Sequence, residues 1–274
     1  MSVNDKSEML NEQITSRDNA RLKHARAVRD GRIETEIFVE GLRLAEEAAE
    51  VLEVTDFFYT PEFAENERAV ELLNKLPHFQ GAVVSQKLLE SISDTKTPQG
   101  VVLLAQKPAT GKSILVKTFD LNPASLFVVL HELNNPANVG AVLRTAEAVG
   151  VSGVILTRKS ADVFSPKSLR GAMGAAFRLP FWTNADFDEA IEFCGVNKIK
   201  TVCADVQAEK KHTEIDWRRR VALIIGSEAR GLAPDEINQT DEQIRIPMKM
   251  PVESLNAAVA GGIILYEAAR QRGF

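Results

Sequence analysis

The sequence predicts an α/β protein built from two units. Short apolar segments alternate with helical patterns along most of its 274 residues, which is typical of βαβ units and parallel sheets. Residues 127–130 and 221–225 are apolar without alternation, as strands covered on both faces must be. Between these patterns, 108–123 shows a break in composition. We therefore predict an N-terminal unit over 1–107, a linker over 108–123 and a C-terminal α/β unit over 124–274.

Each element of the N-terminal unit has a local reason. Cations at helical spacing predict a basic helix over 16–30, and Glu36–Glu40 reads as a strand closed by Gly41. The helix from Leu42 to about Leu52 places leucines and alanines on one stripe and glutamates around it. The later elements are a strand over Val54–Tyr59, a helix opened by Pro61, a strand over Gly81–Ser85, a helix over Gln86–Ile92 and a strand over Gly100–Ala105.

The linker contains a glycine-lysine pair that is reminiscent of a phosphate-binding loop. Position 106 is glutamine where a P-loop requires glycine, and Ile114–Val116 reads as extended where the motif requires a helix, so we expect a connector. The C-terminal elements are strands over 126–131, Gly153–Leu156, 199–204 and Val221–Ile225, helices over 138–149 and near 186–194, and a long final helix beginning near Ser254.

Composition excludes several classes of protein. Hydrophobic residues at 45% and charged residues at 26% are ordinary for a globular protein, and no run of about 18 uncharged apolar residues predicts a membrane span. Only Cys194 and Cys203 occur, so we expect neither a disulfide framework nor a metal site. A cytoplasmic protein is the resulting expectation.

The charge pattern leaves two interpretations open. A net charge of −5 argues against a surface that binds nucleic acid everywhere, yet the N-terminal helix concentrates cations. Such a helix is either a solvated face or an RNA contact. Its cations are Arg17, Arg21, Lys23, Arg26, Arg29 and Arg32, opposed by Asp18 and Asp30.

Three loops of the C-terminal unit follow apolar strands or precede a helix of small residues. In open parallel sheets, ligands bind beyond the carboxyl ends of the strands, so we expect these loops to meet. The first, Asn134–Gly140, leads to Arg144, which points away from the core stripe and has a salt bridge to Glu147 as its ordinary alternative. The second, Gly226–Leu232, carries Glu228, and the third, Ile246–Asn256, feeds the final helix with Gly261 and Gly262. Plain turns are the alternative for the second.

Together, the segments NNPANVGAVLR, GSEARGL and IPMKMPVESLN resemble the three motifs of the SpoU (TrmH-like) family of RNA ribose 2′-O-methyltransferases. The resemblance covers about 124–274 and implies a trefoil-knotted parallel-sheet domain of the SPOUT type that binds S-adenosylmethionine, usually as a homodimer. By similarity, the N-terminal unit resembles the substrate-binding domain of many members, related in fold to kink-turn-binding ribosomal proteins.

The resemblance assigns roles residue by residue. The reacting centre would contain Asn138, Arg144, Glu228, Ser254 and Asn256. The cofactor would contact Gly226, Ile246, Met248, Leu255 and Ala257. From the basic N-terminal helix we expect Arg21, Lys23 and Arg26 to contact RNA, together with Arg170 in a stretch that also resembles the family.

Physical chemistry limits one of these roles. Family accounts often make the arginine at position 144 the base, but a guanidinium stays protonated until the pH exceeds about 12. We expect Arg144 instead to bind a phosphate in bidentate fashion and stabilise the developing alkoxide, while phosphate, Glu228 or water receives the proton.

Three functions remain open at this stage. Methylation of ribosomal RNA is the leading hypothesis, because of the N-terminal unit. The alternatives are a transfer RNA 2′-O-methyltransferase of the same family and a catalytically silent RNA-binding or ribosome-assembly factor.

Overall fold

Two compact units make up the chain. The computed structural model describes residues 12–77, 80–118 and 124–274. One unit ends at Pro108 and also includes Phe164–Pro166; the other comprises Ala109–Val163 and Lys167–Phe274. Within the described residues, no helix is both long and apolar enough to cross a membrane.

The first unit is a five-stranded sheet with helices. Its elements are β1 (Glu12–Ile14), α1 (Ala20–Arg29), β2 (Glu36–Glu40), α2 (Leu42–Val51), β3 (Val54–Tyr59), α3 (Glu67–Lys75), β4 (Gly81–Val84), α4 (Gln86–Ile92) and β5 (Val101–Gln106). The strand order is β1-β4-β3-β5-β2, and β5 runs antiparallel to both of its neighbours. Buried side chains of α1, such as Leu22, pack with Phe38 and Phe58 of the sheet. The predicted strands at Glu36–Glu40 and Val54–Tyr59 are confirmed.

The helix predicted to open at Pro61 begins later. A 3₁₀ turn over Phe63–Glu65 comes first, and α3 starts after Asn66, whose side chain accepts hydrogen bonds from the amides of Arg68 and Ala69. This side-chain cap satisfies backbone donors that a proline start would leave to water.

The second unit is built on a six-stranded sheet. Its elements are α5 (Lys112–Val116), β6 (Leu126–Leu130), α6 (Pro136–Ala148), β7 (Gly153–Thr157), α7 (Pro166–Ala172), α8 (Ala175–Arg178), β8 (Phe181–Ala185), α9 (Phe187–Val196), β9 (Lys200–Ala204), β10 (Val221–Ile225), α10 (Pro234–Ile237), β11 (Glu242–Ile244) and α11 (Ala257–Gln271). The strand order is β11-β9-β10-β6-β7-β8, and every pairing is parallel. The predicted parallel sheet is therefore confirmed.

The extended structure predicted for Ile114–Val116 is wrong. These residues belong to α5, which lies in the segment predicted as a linker. Gly111 has φ +143°, which favours glycine, and its amide donates to the carbonyl of Phe181 over 2.8 Å. Leu115 is fully buried in the core with Phe127. Packing therefore overrides the β-branched preference of the local sequence.

Two glycines allow close approach of the helices that carry the predicted site. A Cβ at Gly140 of α6 would lie 2.5 Å from the carbonyl oxygen of Ser168 in α7. A Cβ at Gly261 of α11 would lie 2.7 Å from the side chain of Ile225 in β10. Close packing explains a glycine at position 261 inside α11, whereas Gly262 has only an ordinary contact with Thr145 at 4.0 Å.

Candidate active site

The first two predicted loops lie beside each other because β6 and β10 are neighbours in the sheet. Leu130 is paired with Ile225 at the ends of these strands, and the amide of His131 donates to the carbonyl of Ile225 over 2.9 Å. The segment after β6 therefore starts next to the segment after β10.

Asparagine caps start the two helices of the site. Asn135 accepts from the amide of Ala137 over 3.0 Å, and Pro136 occupies the first turn of α6, where its missing N–H costs nothing. Asn256 accepts from the amides of Ala258 and Val259 at the start of α11, over 2.9 and 3.3 Å. The helix predicted to begin near Ser254 thus begins just after Asn256.

A chain of hydrogen bonds joins the three loops. The side-chain nitrogen of Asn256 donates to Asn138 Oδ1 over 3.1 Å. Asn138 Nδ2 in turn donates to Glu228 Oε1 over 3.0 Å. The structure therefore brings together three of the five residues predicted for the reacting centre, from positions up to 118 residues apart in sequence.

Arg144 presents an exposed guanidinium on α6. The predicted core stripe of this helix is confirmed, because Val142, Leu143 and Ala146 are fully buried while Arg144 is exposed. Its expected alternative partner, Glu147, receives two hydrogen bonds from Arg178, over 2.5 and 3.0 Å. Among the residues that the structure describes, none forms a hydrogen bond or ion pair with Arg144. Its charge is therefore available to an anion.

The loop after β10 needs Gly226 for its own closure. A Cβ at this position would lie 2.5 Å from the carbonyl carbon of Gly231. The loop turns back on itself, since the amide of Gly231 donates to the carbonyl of Ser227 over 2.9 Å. Gly226 therefore has to lack a side chain for this loop to close.

The third loop offers apolar, partly accessible side chains. Ile246, Met248 and Leu255 are half-buried in the segment between β11 and α11, as is Ala257 in the first turn of α11. Ser254 in the same segment is exposed. Within the described chain, no group of three or more His, Cys, Asp or Glu side chains is arranged to hold a metal ion.

Glu132, the second residue after β6, forms contacts that the sequence did not predict. Lys159 Nζ donates to its Oε1 over 2.9 Å, and Arg230 Nη2 donates to its Oε2 over 2.7 Å. The hydrogen bond from Lys159 lowers the pKa of Glu132 below its usual range, although burial acts against it. Glu132 and Lys159 both have positive φ, +49° and +65°, which non-glycine residues rarely adopt. Sequence carries no signal for this contact beyond the position of each residue after an apolar strand.

His131 is buried beneath this edge. Its Nε2 lies 3.0 Å from Glu236 Oε1 and its Nδ1 lies 3.1 Å from Thr157 Oγ1. The Thr157 hydroxyl also accepts from the amide of Glu132 over 3.1 Å. The ends of β6 and β7 are therefore held together by a buried polar network.

The cations predicted to contact RNA differ in availability. Arg21 donates to Asp56, to Glu12 over 2.7 Å and to the carbonyl of Gln80 over 2.5 Å. The hydrogen bond to the Asp56 carboxylate raises the pKa of Arg21, and burial raises the pKa of Asp56 although the hydrogen bond from Arg21 acts against it. The donors of Arg21 are thus used within the fold, so Arg21 would have to give up these contacts to bind RNA.

Of the other three predicted RNA contacts, only Lys23 is exposed. Lys23 is 58% exposed and pairs with Asp18, which is 87% exposed. Arg26 is half-buried and donates to the carbonyl of Arg17 over 2.9 Å. Arg170 is half-buried in the last turn of α7.

The first unit also contains a groove of about 530 Å³ that sequence reasoning missed. It lies where α2 and α4 start and where β3 ends, and Gly100 in its wall has φ +88°. Arg68 in its wall is held by Glu46. Arg43 is exposed and has no hydrogen bond or ion pair within the part of the chain that the structure describes.

Comparison with known proteins adds two family matches. Residues 125–266 match the model of the SpoU rRNA Methylase family, and residues 19–103 match that of the MRM3-like substrate binding domain. An uncharacterised tRNA/rRNA methyltransferase of Synechocystis is 35% identical over 193 residues, which cover 69% of this chain and 67% of that protein. The mitochondrial rRNA methyltransferase 3A of Danio rerio is 30% identical, over 90% of this chain and 66% of that protein.

Solved structures resemble the whole chain. The SpoU methyltransferase AviRb from Streptomyces viridochromogenes, in complex with AdoMet, is 29% identical with a TM-score of 0.83 and covers 93% of this chain and 98% of its own. An AdoMet-bound rRNA methyltransferase from Sinorhizobium meliloti is 26% identical with a TM-score of 0.80, and covers 94% of this chain and 97% of its own.

Proposed function

This chain belongs to the SpoU rRNA methylase family, and we propose from that premise that it transfers a methyl group from S-adenosylmethionine to a ribose 2′-hydroxyl of ribosomal RNA. The observation that carries the proposal is the convergence of three loops. Hydrogen bonds from Asn256 to Asn138 and from Asn138 to Glu228 join them, and α6 presents Arg144 six residues after Asn138, with no partner among the residues that the structure describes.

The residues present fit S-adenosylmethionine. Ile246, Met248 and Leu255 offer partly accessible apolar surface suited to an adenine ring and an alkyl chain, and Glu228 offers a carboxylate to a cationic group. When bound, the cofactor supplies a methyl group on a positively charged sulfur. Backbone groups around Gly226 and Ala257 would complete this part of the site.

Arg144 has the role of binding the RNA phosphate and stabilising charge. A guanidinium offers two parallel N–H groups to phosphate oxygens, and it keeps its charge throughout the reaction. Because no residue of the described chain neutralises Arg144, it can bind the phosphate beside the target ribose and stabilise the forming alkoxide. The proton of the 2′-hydroxyl then passes to phosphate, to Glu228 or to water, and Ser254 is a further polar group near the start of α11.

RNA binding by the first unit is the second part of the proposal. Its match to a substrate-binding domain supports this role. Lys23 and Arg26 remain proposed contacts on α1, together with Arg170 in the second unit, and Arg21 is withdrawn because its donors are used internally. Arg43 at the groove joins the set, since its charge has no partner in the described residues.

We also propose that the second unit is knotted. β11 lies at the edge of the sheet beside β9, whereas α11, the next element along the chain, packs on α6 and sets Gly261 against Ile225 in the middle. The chain therefore returns from the edge to the centre over residues 245–256, as the threaded segment of the family would.

A homodimer through α11 is the proposed assembly. Val259, Ile263 and Tyr266 recur at helical spacing on one face and are 53%, 39% and 53% exposed. Sedimentation of the Ile263→Glu variant tests this, because a charge on an apolar interface should release monomers. A monomeric wild-type chain would contradict the assembly.

Two free, buried thiols, Cys194 and Cys203, support the proposed cytoplasmic location.

The function is tested with labelled S-adenosylmethionine. We would isolate ribosomal RNA and transfer RNA from a strain that lacks this protein, incubate the protein with each RNA separately, and map the protected 2′-positions. Label on ribosomal RNA supports the proposal. Label on transfer RNA alone supports the alternative within the family.

Calorimetry separates both enzymes from a silent RNA-binding or assembly factor. An active methyltransferase must bind the cofactor, so we expect heat of binding with S-adenosylmethionine. No binding at millimolar cofactor would favour the silent factor.

A further inference from the structure

We propose that Glu132 is a positioning residue for methyl transfer, which holds Arg230 and thereby fixes the loop that carries Glu228. The inference rests on the proposed function and adds to it a contact between two residues outside the predicted site. The loop in question is Ser227–Arg230, just after β10.

Two hydrogen bonds attach this loop to the stretch of chain that follows β6. Arg230 Nη2 donates to Glu132 Oε2 over 2.7 Å, and Glu228 accepts from Asn138 over 3.0 Å. Glu132 lies in the connection between β6 and α6, and Asn138 lies in the first turn of α6. The positions of Glu228 and of the Asn138 amide are therefore fixed by two contacts rather than one.

Glu132 is well supported for this task. Its side chain is 19% exposed, so its ion pairs are screened less than those of surface residues. Its amide donates to the Thr157 hydroxyl, which also contacts the buried His131. A positive φ at a glutamate costs free energy and persists because these neighbours hold it in place.

Lys159 provides a matched control on the same carboxylate. It donates to the other oxygen of Glu132 over 2.9 Å, and its own side chain is 76% exposed. Lys159 follows β7 and, among the residues that the structure describes, forms no hydrogen bond or ion pair with the loop after β10. If Glu132 acts through Arg230, removing Lys159 should leave the loop in position.

Hydrogen–deuterium exchange of the full chain tests the attachment directly. The amide of Gly231 bonds to Ser227 within the loop, so its exchange reports opening. We expect Arg230→Met and Glu132→Gln to accelerate this exchange about tenfold, the factor expected for loss of a charge-assisted hydrogen bond. Arg230→Lys should restore slow exchange, and Lys159→Met should not change it. Unchanged exchange in Arg230→Met would overturn the inference.

Methylation kinetics test the consequence for the reaction. A displaced Glu228 loop should lower kcat by roughly tenfold to 100-fold in Arg230→Met, with KM for RNA unchanged and near-normal turnover in Arg230→Lys and Lys159→Met. The double variant Glu132→Gln/Arg230→Met should lose no more than the worse single variant, because both break one contact.

Two failures are distinguishable in these experiments. A wild-type chain that methylates no RNA would contradict the proposed function, while the exchange measurement would still decide whether Glu132 holds the loop. Normal kcat in Arg230→Met, with an active wild type, would overturn the positioning role alone.

Discussion

Two helices of this chain begin in the same way and then use their arginines differently. Both α1 and α6 start after an asparagine, Asn19 or Asn135, whose side chain accepts a hydrogen bond from a backbone amide of the first turn. Helix α1 carries several cations, whereas α6 carries one arginine. Yet the guanidinium of Arg21 is used by three partners in its own unit, and Arg144 has none in the described chain.

The difference shows that the number of cations on a helix does not tell how many of them are available to a ligand. An arginine already bound to carboxylates must lose those contacts before it binds a phosphate, so its net contribution is small. An unpaired arginine has no such cost beyond its hydration. Partners, which only the fold provides, therefore decide which cations of this sequence stabilise the protein and which are available to a ligand.

The sharpest test of the comparison is Arg144→Lys. Lysine keeps the charge but loses the planar pair of donors, so we expect kcat to fall by roughly 100-fold, as for loss of a preorganised donor at a reacting oxygen. Cofactor affinity, measured by calorimetry, should stay within a factor of about two, because Arg144 is assigned to RNA. Near-normal turnover would refute the role of Arg144.

The position of α6 is tested by Gly140→Ala. The added Cβ would meet the backbone oxygen of Ser168 at 2.5 Å, so we expect a loss of about 2 kcal/mol in the free energy of unfolding. Gly195 in α9 is a matched control with nothing within 4 Å, and Gly195→Ala should stabilise by about 0.5 kcal/mol. Denaturant titration measures both variants. Equal effects would show that α6 does not depend on this contact.

Arg21→Met tests the other side of the comparison. This substitution removes the guanidinium that pairs with Asp56, whose side chain is only 14% exposed. We expect the free energy of unfolding to fall by about 1.5 kcal/mol. Lys23→Met should cost less than about 1 kcal/mol, because its pair with Asp18 is exposed, but it should weaken RNA binding and reduce the salt dependence. Stronger loss of RNA binding in a folded Arg21→Met than in Lys23→Met would reverse our assignment.

The smallest effect concerns a partnered cation in the second unit. Arg270 and Gln271 donate to Glu267 and lower its pKa to about 2 from its ordinary 4.5, with the Arg270 hydrogen bond as the largest cause. A lowered pKa contributes stability above pH 4.5 that is lost as the pH falls toward about 2. Between those values the wild type should lose about 0.5 kcal/mol more than Glu267→Gln, since Arg270 is largely exposed. Parallel unfolding curves for the two proteins would contradict this.

Apolar strands were predictable from sequence, and short edge elements were not. Val221–Ile225 is the same in the prediction and the structure, because five consecutive buried residues leave little alternative. Glu242–Ile244 was missed, since three residues with a polar pattern form a strand only through pairing with β9. The strand Phe181–Ala185 and helices α7 and α8 were also absent from the prediction.

The candidate site was predictable only where its residues lie in motifs. Resemblance to a family identified Asn138, Glu228 and Asn256, which the structure joins by hydrogen bonds. The sequence could not show that Arg178 forms hydrogen bonds with Glu147. It also could not show that Arg230 donates to Glu132, which lies 98 residues earlier in the chain. Such pairs are set by the sheet order, so no local pattern encodes them.

The bonds between Asn256, Asn138 and Glu228 have a polarity. The oxygen of Asn256 is held by backbone amides of α11, so its nitrogen must point outward, and a carboxylate at the other end can only accept. The two side-chain amides therefore point the same way, with their N–H groups toward Glu228. Their dipoles are aligned with that of α11, whose positive end lies at its N-terminus. An aspartate at position 138 would place a carboxylate oxygen opposite the carboxylate of Glu228. Exchanging one nitrogen atom for oxygen would therefore break the connection between the loops.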